Sequence, residues 1–311
     1  MKIYVSVDGG TTNTRVALVK DGKILNSKKI PIGSKACIDG TAPLKAAIKA
    51  SLCQILSEEK ISESEITAII ASGMITCEYG LCELPHIQAP AGLCELHRGM
   101  KKLSIDEISS VPFYFIPGVK LIGKDFYDSD IIRGEETEIM GLLKNDPDCV
   151  YVLPGSHNKL IEIDKELRIC RFETLLTGEM IAALAQNTIL KASVDLGVSE
   201  YDCEYLIKGY ETAVACGVNT ALFKTRILGN LFGGSKEQTY GYFLGVVLAN
   251  EVESLKKSNK STIVIGGKSV LKNALAHILR QVTSLDVVCD TDAEVDESVA
   301  LGQIRVYEYA D

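Results

Sequence analysis

Two short stretches carry a glycine, a hydroxyl residue, one further residue and an asparagine: Gly10-Thr11-Thr12-Asn13 and Gly155-Ser156-His157-Asn158. A glycine followed by small hydroxyl residues lets backbone N–H groups and hydroxyls converge on one phosphate oxygen without a helix. Asp8 stands just before the first turn. A carboxylate there suits Mg²⁺, which takes oxygen ligands, keeps most of its waters and bridges to phosphate. A plain hairpin also uses Asp and Gly. A second turn of the same pattern is less expected by chance, and two such turns facing one another would grip a triphosphate from both sides.

A second focus is Ile131-Ile132-Arg133-Gly134-Glu135-Glu136-Thr137-Glu138. Here acids open a helix through Leu143, at a positive helix end that stabilises them ionised, so they can accept a proton or simply cap the helix. Glu135 precedes Ser156 by 21 residues, which would bring an acid beside the second turn. Gly266-Gly267-Lys268-Ser269 resembles the end of a P-loop, but Thr262 occupies the position where that motif requires glycine. The double glycine between a strand and a helix is expected instead to let a flat base approach the backbone, as an adenosine contact, or to be a tight connection. Thr177-Gly178-Glu179 opens another helix and can line the cleft or cap that helix. Of the four histidines only His157 lies in a candidate phosphate site, and no serine, histidine and carboxylate are spaced for a triad.

These residues need strands to position them. Ile3 to Val7 leads into the first turn, Arg15 to Val19 leaves it, and Asp21-Gly22 makes a hairpin into Lys23 to Ile30. Cys149 to Leu153, Lys159 to Ile163 and, after Asp164-Lys165, Leu167 to Phe172 repeat that order. Thr41 and Pro43 start a helix with apolar positions Leu44, Ala47, Ile48, Leu52 and Ile55. The strand Ile66 to Ile70 ends at Ser72-Gly73-Met74, the ligand-facing edge of an α/β sheet. Residues 75–110 read as an irregular segment over the cleft rather than core, and Pro112 to Ile116 as the next strand. The broken stretch Gly123 to Asp130 predicts a boundary between domains 1–125 and 126–311. Helical patterns follow over 177–192, 199–214, 218–228 and 234–255, then the strand Thr262 to Ile265, a helix from Ser269, the strand Asp286 to Cys289 and a closing helix over 295–309. The same outline in each half predicts two α/β lobes related by a rough twofold.

With 46% hydrophobic residues the 311-residue chain can bury two moderate cores. A net charge of −8 and scattered lysines exclude a field for a nucleic-acid backbone. Ten cysteines without a CxxC pair read as small buried hydrophobes in a reducing compartment. Cys82, His86, Cys94 and His97 have spacings that can hold zinc but match no standard framework. The absence of a signal-peptide pattern and of a long apolar run predicts a cytoplasmic protein without membrane contact, with a homodimer left open.

On Asp8 through Arg15, Ser72-Gly73-Met74, Arg133 through Thr137, Leu153 through Lys159 and Leu176 through Glu179, in this order, the chain resembles the 2-dehydro-3-deoxygalactonokinase family. That family belongs to the superfamily of actin and hexokinase, whose two ribonuclease-H-like lobes clasp ATP. The resemblance implies transfer of the ATP γ-phosphoryl group to the terminal hydroxyl of 2-dehydro-3-deoxy-D-galactonate, giving the 6-phosphate. It implies Mg²⁺ at Asp8, phosphates on residues 10–13 and 155–158, and sugar-acid contacts among Ser72, Gly73, Met74, Thr177 and Glu179. It places the base at Glu135 or Glu136, where related sugar kinases usually carry Asp. Arg133 or Arg15 suits the substrate carboxylate in bidentate fashion. The other reading is a non-catalytic nucleotide- or sugar-sensing protein of the same fold. Tryptophan is absent, so aromatic packing on a sugar must differ from relatives that use it.

Overall fold

The computed structural model describes residues 2–144, 148–268 and 270–310. Their contacts divide the chain into two compact units, Met1–Pro147 with Ile163–Arg171 and Ala293–Asp311, and Asp148–Glu162 with Phe172–Asp292. Residues 123–130, the expected boundary, lie inside the first unit.

The first unit begins with β1 (Ile3–Gly9), β2 (Thr14–Lys20), β3 (Lys23–Ile30), α1 (Ala42–Glu59) and β4 (Ala68–Gly73). The β2–β3 turn uses Asp21 and Gly22, both with positive φ, as a two-residue hairpin requires. Periodic positions of α1, Leu44, Ile48, Leu52 and Ile55, are buried against the sheet, and Ala47 is half-buried. β4 starts two residues later than the apolar run, because Ser62 and Glu65 form a capping box that keeps 63–65 in a 3₁₀ turn.

Residues 75–110 depart from expectation. They contain β5 (Ile87–Gln88), α2 (Leu93–Arg98) and β6 (Lys101–Leu103). Cys82, Leu84, Ile105 and Ile108 join the hydrophobic core of this unit, so the segment is structural as well as connecting. β7 (Phe113–Phe115), β8 (Val119–Leu121), β9 (Asp130–Ile132) and α3 (Glu135–Leu142) follow. The main sheet runs β3-β2-β1-β4-β7-β6, and a small sheet β5-β8-β9, absent from the sequence reading, lies in the same unit.

The second unit holds β10 (Cys149–Leu153), β11 (Asn158–Ile163), β12 (Ile169–Leu175), α4 (Thr177–Asn187), α5 (Cys203–Cys216), α6 (Val218–Phe232), α7 (Lys236–Lys256), β13 (Thr262–Ile265), α8 (Val270–Val282) and β14 (Asp286–Cys289). Its sheet order is β12-β11-β10-β13-β14. β12 begins two residues past the expected start, because the turn is closed by the Leu167 amide on the Asp164 carbonyl and the Asp164 amide on the Arg168 carbonyl. The expected start of α8, Ser269, lies outside the described residues.

α9 (Asp292–Tyr307) returns to the first unit. A Cβ on Gly141 of α3 would lie 1.8 Å from the Ser298 carbonyl, and one on Gly302 of α9 would lie 1.8 Å from the Thr137 carbonyl. Glycines at both crossings let the two backbones touch, which ties α3 and α9 to the same unit. Among the described residues no helix is long and apolar enough to cross a membrane.

The two main sheets share one plan. The hairpin β1–β2–β3 is antiparallel and β1 pairs β4 in parallel. β10 likewise pairs β11 antiparallel and β13 parallel. This is the expected α/β fold of two ribonuclease-H-like units.

Candidate active site

In the first unit β1 delivers Asp8 to the sheet edge one residue before its end, in register with Arg15 on β2 and Ser72 on β4. The following turn is closed by the Gly10 amide on the Asn13 carbonyl, 2.8 Å. The carbonyls of Gly10 and Thr11 accept from the amides of Ser34, 3.1 Å, and Lys35, 3.0 Å. A trans peptide points its N–H opposite to its C=O. The amides of Thr11 and Thr12 therefore face away from residues 34–35, side by side, as an anion-binding turn requires. Thr11 and Thr12 are exposed.

Behind Asp8 the chain is narrow by composition. Gly73 has φ +82°, and a Cβ there would lie 2.5 Å from the Gly9 carbonyl and 3.5 Å from Asp8 Oδ1. Gly134, φ +115°, approaches Gly73 and turns the chain into α3. Burial pushes the half-buried Asp8 carboxyl above its ordinary value; the Arg15 guanidinium opposes this, and Glu135 adds to it. Arg15 is partly exposed and donates to the Asp296 carbonyl at 3.3 Å.

The two acids that open α3 have different surroundings. Glu135 is half-buried and its Oε2 accepts from the Arg133 amide at 3.0 Å. Glu136 is fully buried, with Oε2 accepting from the Gly134 amide at 2.7 Å and Oε1 buried without a hydrogen-bond partner among the described residues. Burial and then the neighbouring Glu135 push its carboxyl up to about 8, against the backbone amides and Arg133.

Arg133 is engaged within its own unit. Nη1 donates to the Thr76 carbonyl at 2.7 Å and to Thr76 Oγ1 at 2.5 Å; Nη2 donates to the Leu84 carbonyl at 3.1 Å and to His86 Nδ1 at 3.2 Å. Burial and Arg133 push His86 down to about 4, leaving a neutral ring whose Nδ1 can accept. The guanidinium thus clamps residues 76–86 to the start of α3, and Arg15 is the more accessible of the two arginines named above. Ser72 is also inward. Its hydroxyl lies 3.0 Å from Thr137 Oγ1 and accepts from Gln303 Nε2 at 2.8 Å, while Gln303 also donates to the Val7 carbonyl. Gln303 escaped the sequence reading; its signal was a polar residue on the helix face shared with buried Ala300 and Ile304. Met74 begins a 3₁₀ turn and is half-buried.

In the second unit Gly155, Ser156 and His157 are exposed and Asn158 is fully buried. The Ser156 carbonyl accepts from the Glu179 amide at 3.1 Å, so the His157 amide points away from α4. A Cβ on Gly178 would lie 2.3 Å from the Gly155 carbonyl, which shows how closely the start of α4 sits on the turn. His157 Nε2 lies 3.1 Å from Glu179 Oε1. Thr177 is buried and donates to Glu251. The Gly266 amide bonds the Val152 carbonyl at 2.9 Å, and Gly267, φ +74°, would place a Cβ 3.1 Å from the Pro154 carbonyl. Gly267 repeats the position and the positive φ of Gly73.

Among the described residues no three His, Cys, Asp or Glu side chains are grouped to hold a metal. His97 Nδ1 pairs with the Val306 carbonyl and His86 with Arg133. A hydrated cation held by one carboxylate and by phosphates needs no such cluster, and Asp8 fits it: a cation would offset the burial and the Glu135 repulsion that act on that carboxyl.

The family model of 2-keto-3-deoxy-galactonokinase matches residues 8–301. The chain is 28% identical over 261 residues to the 2-dehydro-3-deoxygalactonokinase of Escherichia coli (strain K12), covering 81% of this chain and 80% of that one. It is 27% identical over 196 residues to a probable 2-dehydro-3-deoxygalactonokinase of Rhizobium meliloti (strain 1021), covering 61% of this chain and 59% of that one. The fold matches the crystal structure of a putative 2-dehydro-3-deoxygalactonokinase from Sinorhizobium meliloti with a TM-score of 0.80 over 97% of both chains, at 21% identity. A turn with its amides turned outward beside Asp8, acids at the start of α3 and a match spanning nearly the whole chain lead to one conclusion: this chain belongs to the 2-keto-3-deoxy-galactonokinase family.

Proposed function

We propose that the protein transfers the γ-phosphoryl group of ATP to the 6-hydroxyl of 2-dehydro-3-deoxy-D-galactonate. The observation that carries this reading is the first turn, where the pinned carbonyls of Gly10 and Thr11 turn two consecutive amides outward beside Asp8. Family membership supports a sugar-acid substrate.

In this reading the outward amides of the turns at 10–13 and 155–158 bind phosphate oxygens, and the glycine pair 266–267 takes the adenosine. Asp8 would hold Mg²⁺, and the ion would supply neutralisation of phosphate charge. Glu135, beside Asp8 and less buried than Glu136, accepts the proton of the 6-hydroxyl. That oxygen bonds to the γ-phosphorus while the bond from phosphorus to the β–γ bridging oxygen breaks, and ADP leaves with the electron pair. Glu136, held neutral by burial around pH 7, fixes the turn at Gly134. Arg15 meets the substrate carboxylate, since the Arg133 guanidinium is taken up by Thr76, Leu84 and His86.

An ADP-release assay with ATP, Mg²⁺ and a panel of 2-keto-3-deoxy sugar acids tests this. Turnover is expected with the galactonate derivative above its gluconate epimer, and the phosphate should appear on the terminal carbon. Absence of turnover with every sugar acid in the panel would overturn the proposal.

A further inference from the structure

Glu251 lies on α7, almost a hundred residues after the second turn, and is 1% exposed. Its neighbours on the same helix face, Leu244, Leu248 and Leu255, are core residues. A carboxylate on such a face is costly to bury unless its oxygens are satisfied. They are. Asn158 Nδ2 lies 3.0 Å from both Oε1 and Oε2, and the Thr177 hydroxyl donates to Oε1. The orientation of the Asn158 amide follows from its other end, where Oδ1 accepts the Gly155 amide at 2.8 Å. Only the oxygen can accept there, so Nδ2 must face Glu251, and Glu251 must present acceptors.

The chain of contacts has two arms that meet on one turn. Through Asn158, Glu251 closes the turn at the Gly155 amide. Through Thr177, it fixes the first residue of α4, whose next two residues touch the turn again, Gly178 against the Gly155 carbonyl and Glu179 through its amide on the Ser156 carbonyl.

We infer that Glu251 is a positioning residue for nucleotide binding: by accepting from both Asn158 and Thr177 it sets the shape of the turn at 155–158, and so the affinity for ATP, without touching the nucleotide. This rests on the reading of that turn as a phosphate contact. It differs from a general role in the core because it depends on which partner donates and which accepts.

Glu251→Gln keeps the size but places an NH₂ group where Asn158 already donates. The KM for ATP should rise about tenfold, as expected for one hydrogen bond to a charged group, with kcat within about twofold and the KM for the sugar acid unchanged. Combining Glu251→Gln with Asn158→Asp exchanges the donor and acceptor ends, since the introduced carboxylate can still accept the Gly155 amide and now also accepts from the introduced side-chain amide. That double variant should recover the ATP KM to within about threefold of the parent. Hydrogen exchange of the peptide spanning 154–158, measured without nucleotide, should quicken in the single variant and slow again in the double one. If Glu251→Gln does not fold, Thr177→Val removes one donor to Glu251 and should raise the ATP KM by a smaller factor, about threefold, and quicken exchange over 154–158. Unchanged exchange and unchanged ATP KM in a folded Glu251→Gln or Thr177→Val protein would overturn the inference, as would a folded double variant no better than the single one. Faster exchange at 154–158 with an unaltered ATP KM would leave Glu251 as the strut of the turn and overturn the phosphate reading instead.

Discussion

The turn at 10–13 and the turn at 155–158 are built from one plan and finished differently. In both, a strand ends on a glycine turn, a glycine with positive φ at or just past the end of the neighbouring parallel strand, Gly73 or Gly267, approaches the residue before it, and a glycine from later in the chain, Gly33 or Gly178, lies on its first carbonyl. In both, an outside amide holds a turn carbonyl and leaves an N–H facing outward. The differences begin with register. Gly9 pairs with Thr14 across residues 10–13, whereas Leu153 pairs with Lys159 across residues 154–158. One additional residue reverses the face on which a strand side chain lies. The Gly10 amide therefore reaches the main-chain carbonyl of Asn13, while the Gly155 amide reaches the side chain of Asn158, which points into the core. The second difference is charge: Asp8 and Leu153 occupy matching positions, and only the first is a carboxylate. The duplicated scaffold thus presents two glycine turns, with a strand-end carboxylate at only one.

The largest effects should come from removing that chemistry. Asp8→Asn and Glu135→Gln should each lower kcat by about 10² to 10⁴ in a steady-state assay, the range for losing a general base or a charge stabiliser, with little change in ATP affinity for Glu135→Gln. Glu136→Gln should behave differently, through stability. The folded protein keeps the Glu136 proton up to about pH 8, where an unfolded chain has lost it. Protein stability contributed by that proton is present below the ordinary glutamate range and lost as pH rises through about 8. A glutamine is neutral throughout, so the melting temperature of the variant relative to the parent should improve between pH 5 and pH 9. A kcat collapse in Glu136→Gln with normal turnover in Glu135→Gln would reverse the roles of the two acids.

Much of this local geometry was legible in the sequence for a physical reason: turns and strand ends are local. The strands around both turns, the double glycine at 266–267, Asp8 and the start of α3 follow from residues within a few positions of one another. What escaped was held by distant partners. Glu251 and Gln303 are lone polar residues on apolar helix faces, and their meaning depends on Asn158 and Ser72, far away in the chain. The small sheet β5-β8-β9 was missed because its strands have two or three residues each, too few to display an alternation. The inward use of Arg133 was equally invisible, since its partners at Thr76, Leu84 and His86 lie in a stretch without regular pattern.

A smaller effect tests whether the two turns are braced alike. Gly33 has an extended backbone, φ −131°, and Gly178 is helical, so either could become alanine as far as dihedrals are concerned. Space forbids it: the added Cβ would lie 2.5 Å from the Gly10 carbonyl or 2.3 Å from the Gly155 carbonyl. Gly33→Ala and Gly178→Ala should each cost about 1–3 kcal/mol of stability by denaturant titration, as overpacking does. Each should also raise the ATP KM several-fold. A brace that mattered at only one turn would show as a loss confined to that variant.

The smallest effect is expected at Asn13, and it isolates the consequence of register. Asn13 is half-buried, and its side-chain amide donates to the neighbouring Thr12 hydroxyl at 2.9 Å. The bond that closes its turn comes from its main-chain carbonyl, which alanine retains. Asn13→Ala should therefore change stability by no more than about 0.5 kcal/mol, the usual range for a surface substitution, and the ATP KM by less than about threefold. Asn158→Ala removes the turn closure and one of the two donors to the buried Glu251 carboxylate together, so it should cost several times more in both measurements. Equal losses in the two variants would mean that the Asn13 side chain contacts the nucleotide directly. The one-residue difference in register would then not be what separates the two turns.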